Sequence, residues 1–234
     1  QGGQVKDPIS VDSKFYWSPR IGIAYPITEK DALYFNYGRT FQVPQFQYMY
    51  RNINYDFSGA FPIVGNPNIL PETTTSYELG VRHQMGNFWR LEVKGFYKDI
   101  QGLVNTQQNW VTASQYYTRH VNGDYGNVRG IEVDLFRQFS GFFGGNLNYT
   151  YSIAKGKSSS ATSNYGMVWA SLIIPKEENY LDWDQRHTLN ASFKVLIPYT
   201  GISINTTMQY GSGLPYSPPD RSQLPEINTK RRPS

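Results

Sequence analysis

Residues 186–197 read RHTLNASFKVLI, and this stretch decides the fold. One alternate set is His187, Leu189, Ala191, Phe193, Val195 and Ile197. The other is Arg186, Thr188, Asn190, Ser192, Lys194 and Leu196. The first set is almost wholly apolar and the second almost wholly polar. A period of two predicts a strand with one apolar face.

The same alternation recurs along the chain. Ile21, Ile23 and Tyr25 alternate with Arg20, Gly22 and Ala24. Leu33, Phe35 and Tyr37 oppose Tyr34, Asn36 and Gly38. Tyr77, Leu79 and Val81 oppose Glu78, Gly80 and Arg82, and Leu91, Val93 and Tyr97 oppose Glu92 and Lys94. Ile131, Val133 and Leu135 oppose Glu132 and Asp134; Leu147, Tyr149 and Tyr151 oppose Asn146, Asn148 and Thr150. Ile202, Ile204, Met208 and Tyr210 close the series. About eight strands follow, with helices only in the loops.

Connection lengths add a second signal. Short links near 27–31, 85–87, 140–141 and 199–201 alternate with long ones at 40–73, 105–120, 155–184 and from 212 onward. In an antiparallel meander this puts every tight turn at one end and every long loop at the other, the asymmetry of a transmembrane barrel. The strands expected at 88–104 and 121–139 exceed the roughly 9–11 residues that cross a bilayer, so the sheet is expected to continue above the membrane.

Composition agrees. The chain has 234 residues, a net charge of +4, no cysteine and 19 tyrosines among 16% aromatic residues. Mean hydropathy is −0.54, and no apolar run reaches the ~18 residues of a spanning helix. In a barrel wall only alternate residues face lipid, so a polar average is compatible with a membrane. Apart from Lys230-Arg231-Arg232 the basic residues are scattered, which argues against nucleic acid as a partner. A soluble β-sandwich would also alternate, but it does not require long loops on one side.

Five stretches carry a family resemblance. GNPNILPETTTSYELG (65–80), FYKDI (96–100), NGDYGNVRGIE (122–132), LDWDQRHTLN (181–190) and YGSGLPY (210–216) resemble, in order, segments of TonB-dependent receptor barrels. The resemblance implies an all-β, antiparallel up-and-down transmembrane barrel of about 22 strands with a plugged lumen. This chain, 1–234, is expected to be one partial barrel domain supplying about eight strands, with no recognisable plug domain and no closing strand in it. The implied role is active import of a scarce nutrient, such as an iron chelate, cobalamin or glycan, across the outer membrane of a Gram-negative bacterium. The implied partners are membrane lipid, the remaining strands and plug, the TonB energy complex acting through that plug, and a small nutrient ligand. The alternative is a passive porin, adhesin or structural barrel in the same membrane.

No nucleophile–base pair, metal-ligand cluster or cofactor motif stands out, so no enzyme, metal or cofactor is expected. Asp184 and Arg186 share a strand face and read as an ion pair at the strand mouth, with His187 turned to the other face. The charged residues Glu78, Arg82, Glu92, Lys94, Glu132 and Asp134 read as cross-strand pairs. The prolines of 65–72 read as stiffeners of a loop ahead of the next strand. Ligand contacts are expected from loop aromatics, which stack on flat or sugar-like ligands at little entropic cost: Tyr48, Tyr50, Tyr55, Phe57, Trp110, Tyr116, Tyr117, Trp169 and Tyr180.

Overall fold

The computed structural model describes residues 13–216, except 53, 60, 114 and 170–177. The basic run at 230–232 lies outside the described residues. The eight expected strands are present as β1 (Arg20–Pro26), β2 (Asp31–Gln42), β4 (Glu72–Met85), β5 (Trp89–Trp110), β6 (Tyr116–Ser140), β7 (Phe143–Gly156), β9 (His187–Leu196) and β10 (Ser203–Gly211). Two short strands join them, β3 (Ile63–Val64) and β8 (Asn179–Tyr180), with two loop helices, α1 (Phe46–Tyr50) and α2 (Ser163–Trp169). The main strands pair in the order β1-β2-β4-β5-β6-β7-β9-β10, each antiparallel to the next. β1 and β10 sit at opposite ends of this path and do not pair, so the sheet is an open arc.

The register lines up the alternating residues across the arc. One row runs Tyr25, Leu33, Val81, Val93, Val133, Tyr149, Leu189, Tyr210. The next runs Ile23, Phe35, Leu79, Gly95, Ile131, Tyr151, His187. Ile23, Leu79, Ile131, Met208 and Tyr210 are each exposed by half or more. A contiguous apolar face of this extent marks contact with another apolar phase or partner. Aromatic residues bound it at both ends: Trp89 and Phe193 near the tight turns, and Tyr37, Tyr77 and Tyr97 in register toward the loops. From Trp89 to Tyr97 is about 27 Å along a strand. Tilted by about 40°, that covers about 20 Å, close to the ~25 Å apolar band of outer-membrane barrels.

The opposite face is polar and cross-linked. Tyr34 lies over Gly80, where a side chain would collide with its ring, and its hydroxyl donates to Glu92 at 2.6 Å. Arg82 Nε meets the other Glu92 oxygen at 2.8 Å, Lys94 meets Glu132 at 3.3 Å, and Asn148 donates to Glu132 at 2.7 Å. These charges are paired across strands, as the sequence predicts.

One expectation needs correction. The stretch 105–120 is not a long loop. β5 and β6 run on as a hairpin through most of it, and the connection is only 111–115. The one-sided asymmetry survives, because the hairpin itself projects at the long-loop end. A bulge marks where it leaves the regular wall: the register shifts at Leu103, between Gln101 and Val104, and Gly102 adopts φ +72. Such irregularities bend a strand and increase its twist.

The packed core lies at that end as well. Ile63, Val64, Ile69, Val104, Ala154 and Leu181 are buried there or at the loop-side end of β7. Only Ala191 is a buried apolar residue within the lower sheet among the described residues.

Candidate ligand-binding loops at one end of the sheet

The projecting β5–β6 hairpin organises the loops. β3 adds to the free edge of β6 as a parallel strand, with Ile63 opposite Thr118 and Val64 opposite Arg119. Thr118 donates its N–H and its hydroxyl to the Pro62 carbonyl at 3.0 and 3.1 Å. The Asn122 side chain then staples the loop end: its oxygen accepts from Leu70 N at 2.7 Å, and its amide donates to the carbonyls of Leu70 and Gly102, both at 2.8 Å. Arg119 donates to Asn66 Oδ1 at 3.0 Å. The Asn-Pro run thus tethers the loop to β6 and does more than stiffen it.

The 157–186 connection reaches the same hairpin. Asn164 N, in α2, donates to Asn105 Oδ1 at 3.3 Å, and Tyr165 donates to the Phe61 carbonyl at 2.8 Å. Below, Asn105 donates to Asp124, and Asp124 also faces Lys157 at 3.7 Å. Both Asn105 and Asp124 are buried. Buried charges persist only when paired in this way.

The sequence-nominated aromatics fall into separate groups. Tyr55, Phe57 and Tyr117 form one cluster, with Phe57 stacked on Tyr117 at 4.9 Å between centroids. Trp110, Tyr116 and Trp169 form another, with Tyr116 stacked on Trp169 at 4.4 Å, and Phe61 edge-on to Trp169 at 5.0 Å. Tyr48 packs against His120 at 4.9 Å, and Tyr50 meets Phe46 at 6.1 Å. Tyr180 stands apart, with Lys155 and Arg186 over its ring at 4.9 and 4.4 Å. Arg186 and then Lys155 hold its hydroxyl below the ordinary tyrosine range. Trp110, Tyr50, Tyr55 and Tyr180 keep large exposed surfaces, while Tyr48, Phe57, Tyr116, Tyr117 and Trp169 are partly covered.

His120 is the residue that the sequence does not announce. It is 1% exposed, and neither ring nitrogen has a hydrogen-bond partner. The Asn105 carbonyl slightly favours the protonated ring, but outside hydrogen-bond geometry. Burial, and then the charge of Arg51, push the imidazole down to about 4, so it is neutral at neutral pH. Thr106 lies directly across the strand pair, is also buried, and its hydroxyl is unpartnered. Unsatisfied buried groups cost about 1–3 kcal/mol each.

At the mouth of β9, Arg186 Nε meets Asp184 at 2.7 Å, and the Tyr149 hydroxyl lies 2.8 Å from His187 Nδ1 on the other face. This is the arrangement read from the sequence. Among the described residues no three metal-ligating side chains come together.

A two-faced open meander with its loops gathered on one projecting hairpin has a match in sequence. The profile described as TonB dependent receptor-like, beta-barrel, matches residues 2–233. The chain belongs to the TonB-dependent receptor β-barrel family. Solved structures of similar fold include the siderophore receptor PirA from Pseudomonas aeruginosa, at 17% identity and a TM-score of 0.52, covering 84% of this chain and 34% of that one. The FrpB iron transporter from Neisseria meningitidis matches at 15% identity and a TM-score of 0.54, over 83% of this chain and 26% of that one. The outer membrane transporter YddB from Escherichia coli matches at 9% identity and a TM-score of 0.59, over 78% and 26%. At these identities the likeness is one of fold. The chain spans about a quarter to a third of the length of these structures. No curated protein sequence matches it.

Proposed function

We propose that this chain is part of the wall and outer loops of a receptor in the Gram-negative outer membrane, and that the receptor imports a scarce nutrient by TonB-dependent active transport. The observation that carries this reading is the two-faced arc: an apolar face bounded by aromatic rows, backed by a charged face, with the loops at one end. Lipid would meet the first face; a plug, and through it the TonB complex, would lie against the second. Among the described residues the outer edges of β1 and β10 have no partner strand; they would pair with further strands, because open edges in lipid leave costly unsatisfied backbone groups.

The nutrient is read as an iron chelate or another small metal complex ahead of cobalamin or a glycan. Structures of similar fold support this order: a siderophore receptor, an iron transporter and the copper transporter OprC. The role is that of a receptor and not an enzyme. The exposed loop aromatics Tyr50, Tyr55, Trp110 and Tyr180 are proposed as first contacts. The partly covered Tyr48, Phe57, Tyr116, Tyr117 and Trp169 are proposed to shape the loops around the ligand.

The test is uptake of a panel of labelled ferric chelates, cobalamin and oligosaccharides by cells with and without the full-length receptor. Active import predicts gene-dependent accumulation of at least one, abolished by a protonophore. Gene-dependent entry that persists with the protonophore would place the protein with passive porins.

A further inference from the structure

At the tight-turn end the apolar face carries an arginine in its aromatic boundary row. Across the sheet this row runs Met85, Trp89, Arg137, Gly145, Phe193. The guanidinium carbon of Arg137, on β6, lies 5.4 Å from the Trp89 ring centre and 5.0 Å from that of Phe143. The two rings come from the strands on either side, β5 and β7. Phe143 stacks with Phe193 at 5.9 Å between centroids. The Phe193 ring in turn leans over the bare backbone of Gly145, where a Cβ would collide with it. Three aromatic rings thus surround one cation at the edge of the apolar face.

The guanidinium is held in place, but its charge is not answered. Nη1 donates to the Phe143 carbonyl at 2.7 Å, across the tight turn. Nε is buried and has no partner. On the polar face Arg82, Arg90 and Lys94 meet Glu92, Asp134 and Glu132. On the apolar face at this end, Asp31 is taken by His83. Arg137 forms no ion pair among the described residues. A charge at the border of an apolar phase is costly without a counter-charge, and flanking rings supply only a small part of it.

We propose that Arg137 seats the headgroup of one phospholipid in the leaflet on the tight-turn side, its guanidinium holding the phosphodiester and the rings of Trp89, Phe143 and Phe193 flanking the glycerol. Three observations commit to this occupant. The row lies at the border of the apolar face, the level at which aromatic side chains meet headgroups. The next row of that face, with Leu91, Leu135 and Leu147, is where the acyl chains of the same molecule lie. The unanswered charge is complementary to a phosphate, which arginine binds through its planar fork; Nη2 and the Trp89 indole N–H are the donors. This inference rests on the membrane reading and adds a lipid contact at the opposite end of the sheet from the loops.

The experiment uses the full-length receptor in maltoside micelles, which contain no phosphate. A benzophenone amino acid replaces Met85, beside Trp89 in the row, or Ile131, higher on the same face of β6. Each form is irradiated with radiolabelled phosphatidylglycerol or with diacylglycerol of the same chains. At Met85 capture should favour phosphatidylglycerol about tenfold, the scale of a hydrogen bond to a charged group; at Ile131 the ratio should be near one. Arg137→Gln should bring the Met85 ratio to one, and excess inorganic phosphate should leave it unchanged. If heat-modifiability shows that Arg137→Gln does not assemble, Phe143→Leu, which removes one flanking ring, is read instead, with a loss of about threefold. A merely structural Arg137, bridging the turn through the Phe143 carbonyl, would lower stability in Arg137→Gln and leave the ratio as it is. That result, a ratio near one at Met85, an equal preference at Ile131, or displacement by inorganic phosphate would each overturn the seat. Capture of both lipids without preference removes this seat and keeps the wall reading; capture of neither at Met85 and Ile131 removes both.

Discussion

Asp184 holds Arg186 through one carboxylate oxygen at 2.7 Å, while its other oxygen accepts the Ala154 N–H of the neighbouring strand, also at 2.7 Å. The carboxylate is almost fully buried. It fixes how the chain enters β9 after the long 157–186 connection.

Asp184→Ala is therefore expected to lower the unfolding free energy of the receptor by about 1.5–3 kcal/mol, the range for hydrogen bonds to a charged group. Asp184→Asn should cost less, because it can still accept from Ala154. Urea unfolding in lipid vesicles measures both, and an Asp184→Ala midpoint equal to that of the native protein would remove the latch.

The register places Val93 and Val133 midway between the two aromatic rows. Val133→Arg should cost ~2–4 kcal/mol in assembly, as expected for a cation at the bilayer midplane. Val195, opposite Phe143 near a tight turn, should tolerate Arg far better. Asn148→Arg, on the polar face, should also be mild. Heat-modifiability and surface abundance report assembly, and equal tolerance at Val133 and Asn148 would refute the face assignment.

Cysteines at Ser58, Ala113 and Ser160 should react with an impermeant thiol reagent on intact cells, and cysteines at Lys30 and Asn87 should not. All three of the first group lie at the loop end, and the second pair in tight turns at the other end. Mixed labelling within either group would contradict the one-sided arrangement.

His120 gives a pH dependence with a definite sign. Its folded-state value, about 4, lies below the usual ~6.5 of an unfolded histidine. The unfolded or opened form therefore binds the proton more tightly. The stability that His120 contributes is full above about 6.5 and falls as pH drops toward about 4. Hydrogen exchange of 46–52, corrected for the intrinsic pH effect, should show faster opening at pH 5 than at pH 7.5. His120→Gln should flatten that difference; an unchanged difference would assign it to another group.

The wall was legible because one face of each strand is apolar over its lower half, and a period of two then records the register directly. The legible part stops at the bulge. Residues 103–110 read LVNTQQNW, and Val104, Asn105 and Thr106 are buried in succession. Loops cover this part of the hairpin on both sides, so neither face carries the alternating signal and the segment reads as loop. The loop aromatics could be named from their positions, but not their grouping. That depends on the two-residue parallel pairing of β3 with β6 and on the Asn122 staple, contacts between residues about 50 positions apart. His120 was invisible for the same reason: the Tyr48 ring packs against it, and no local pattern places Tyr48 there.

The most direct test of the wall itself is a nitroxide scan of residues 130–135 on β6 in the full-length receptor in lipid. Collision with oxygen, which concentrates in lipid, and with a water-soluble nickel chelate is measured at each position. Labels at Ile131, Val133 and Leu135 should favour oxygen, and labels at Gly130, Glu132 and Asp134 the nickel chelate, giving a two-residue period with the two profiles out of phase. Uniform access of the nickel chelate, or profiles without alternation, would contradict a barrel wall with one face in lipid.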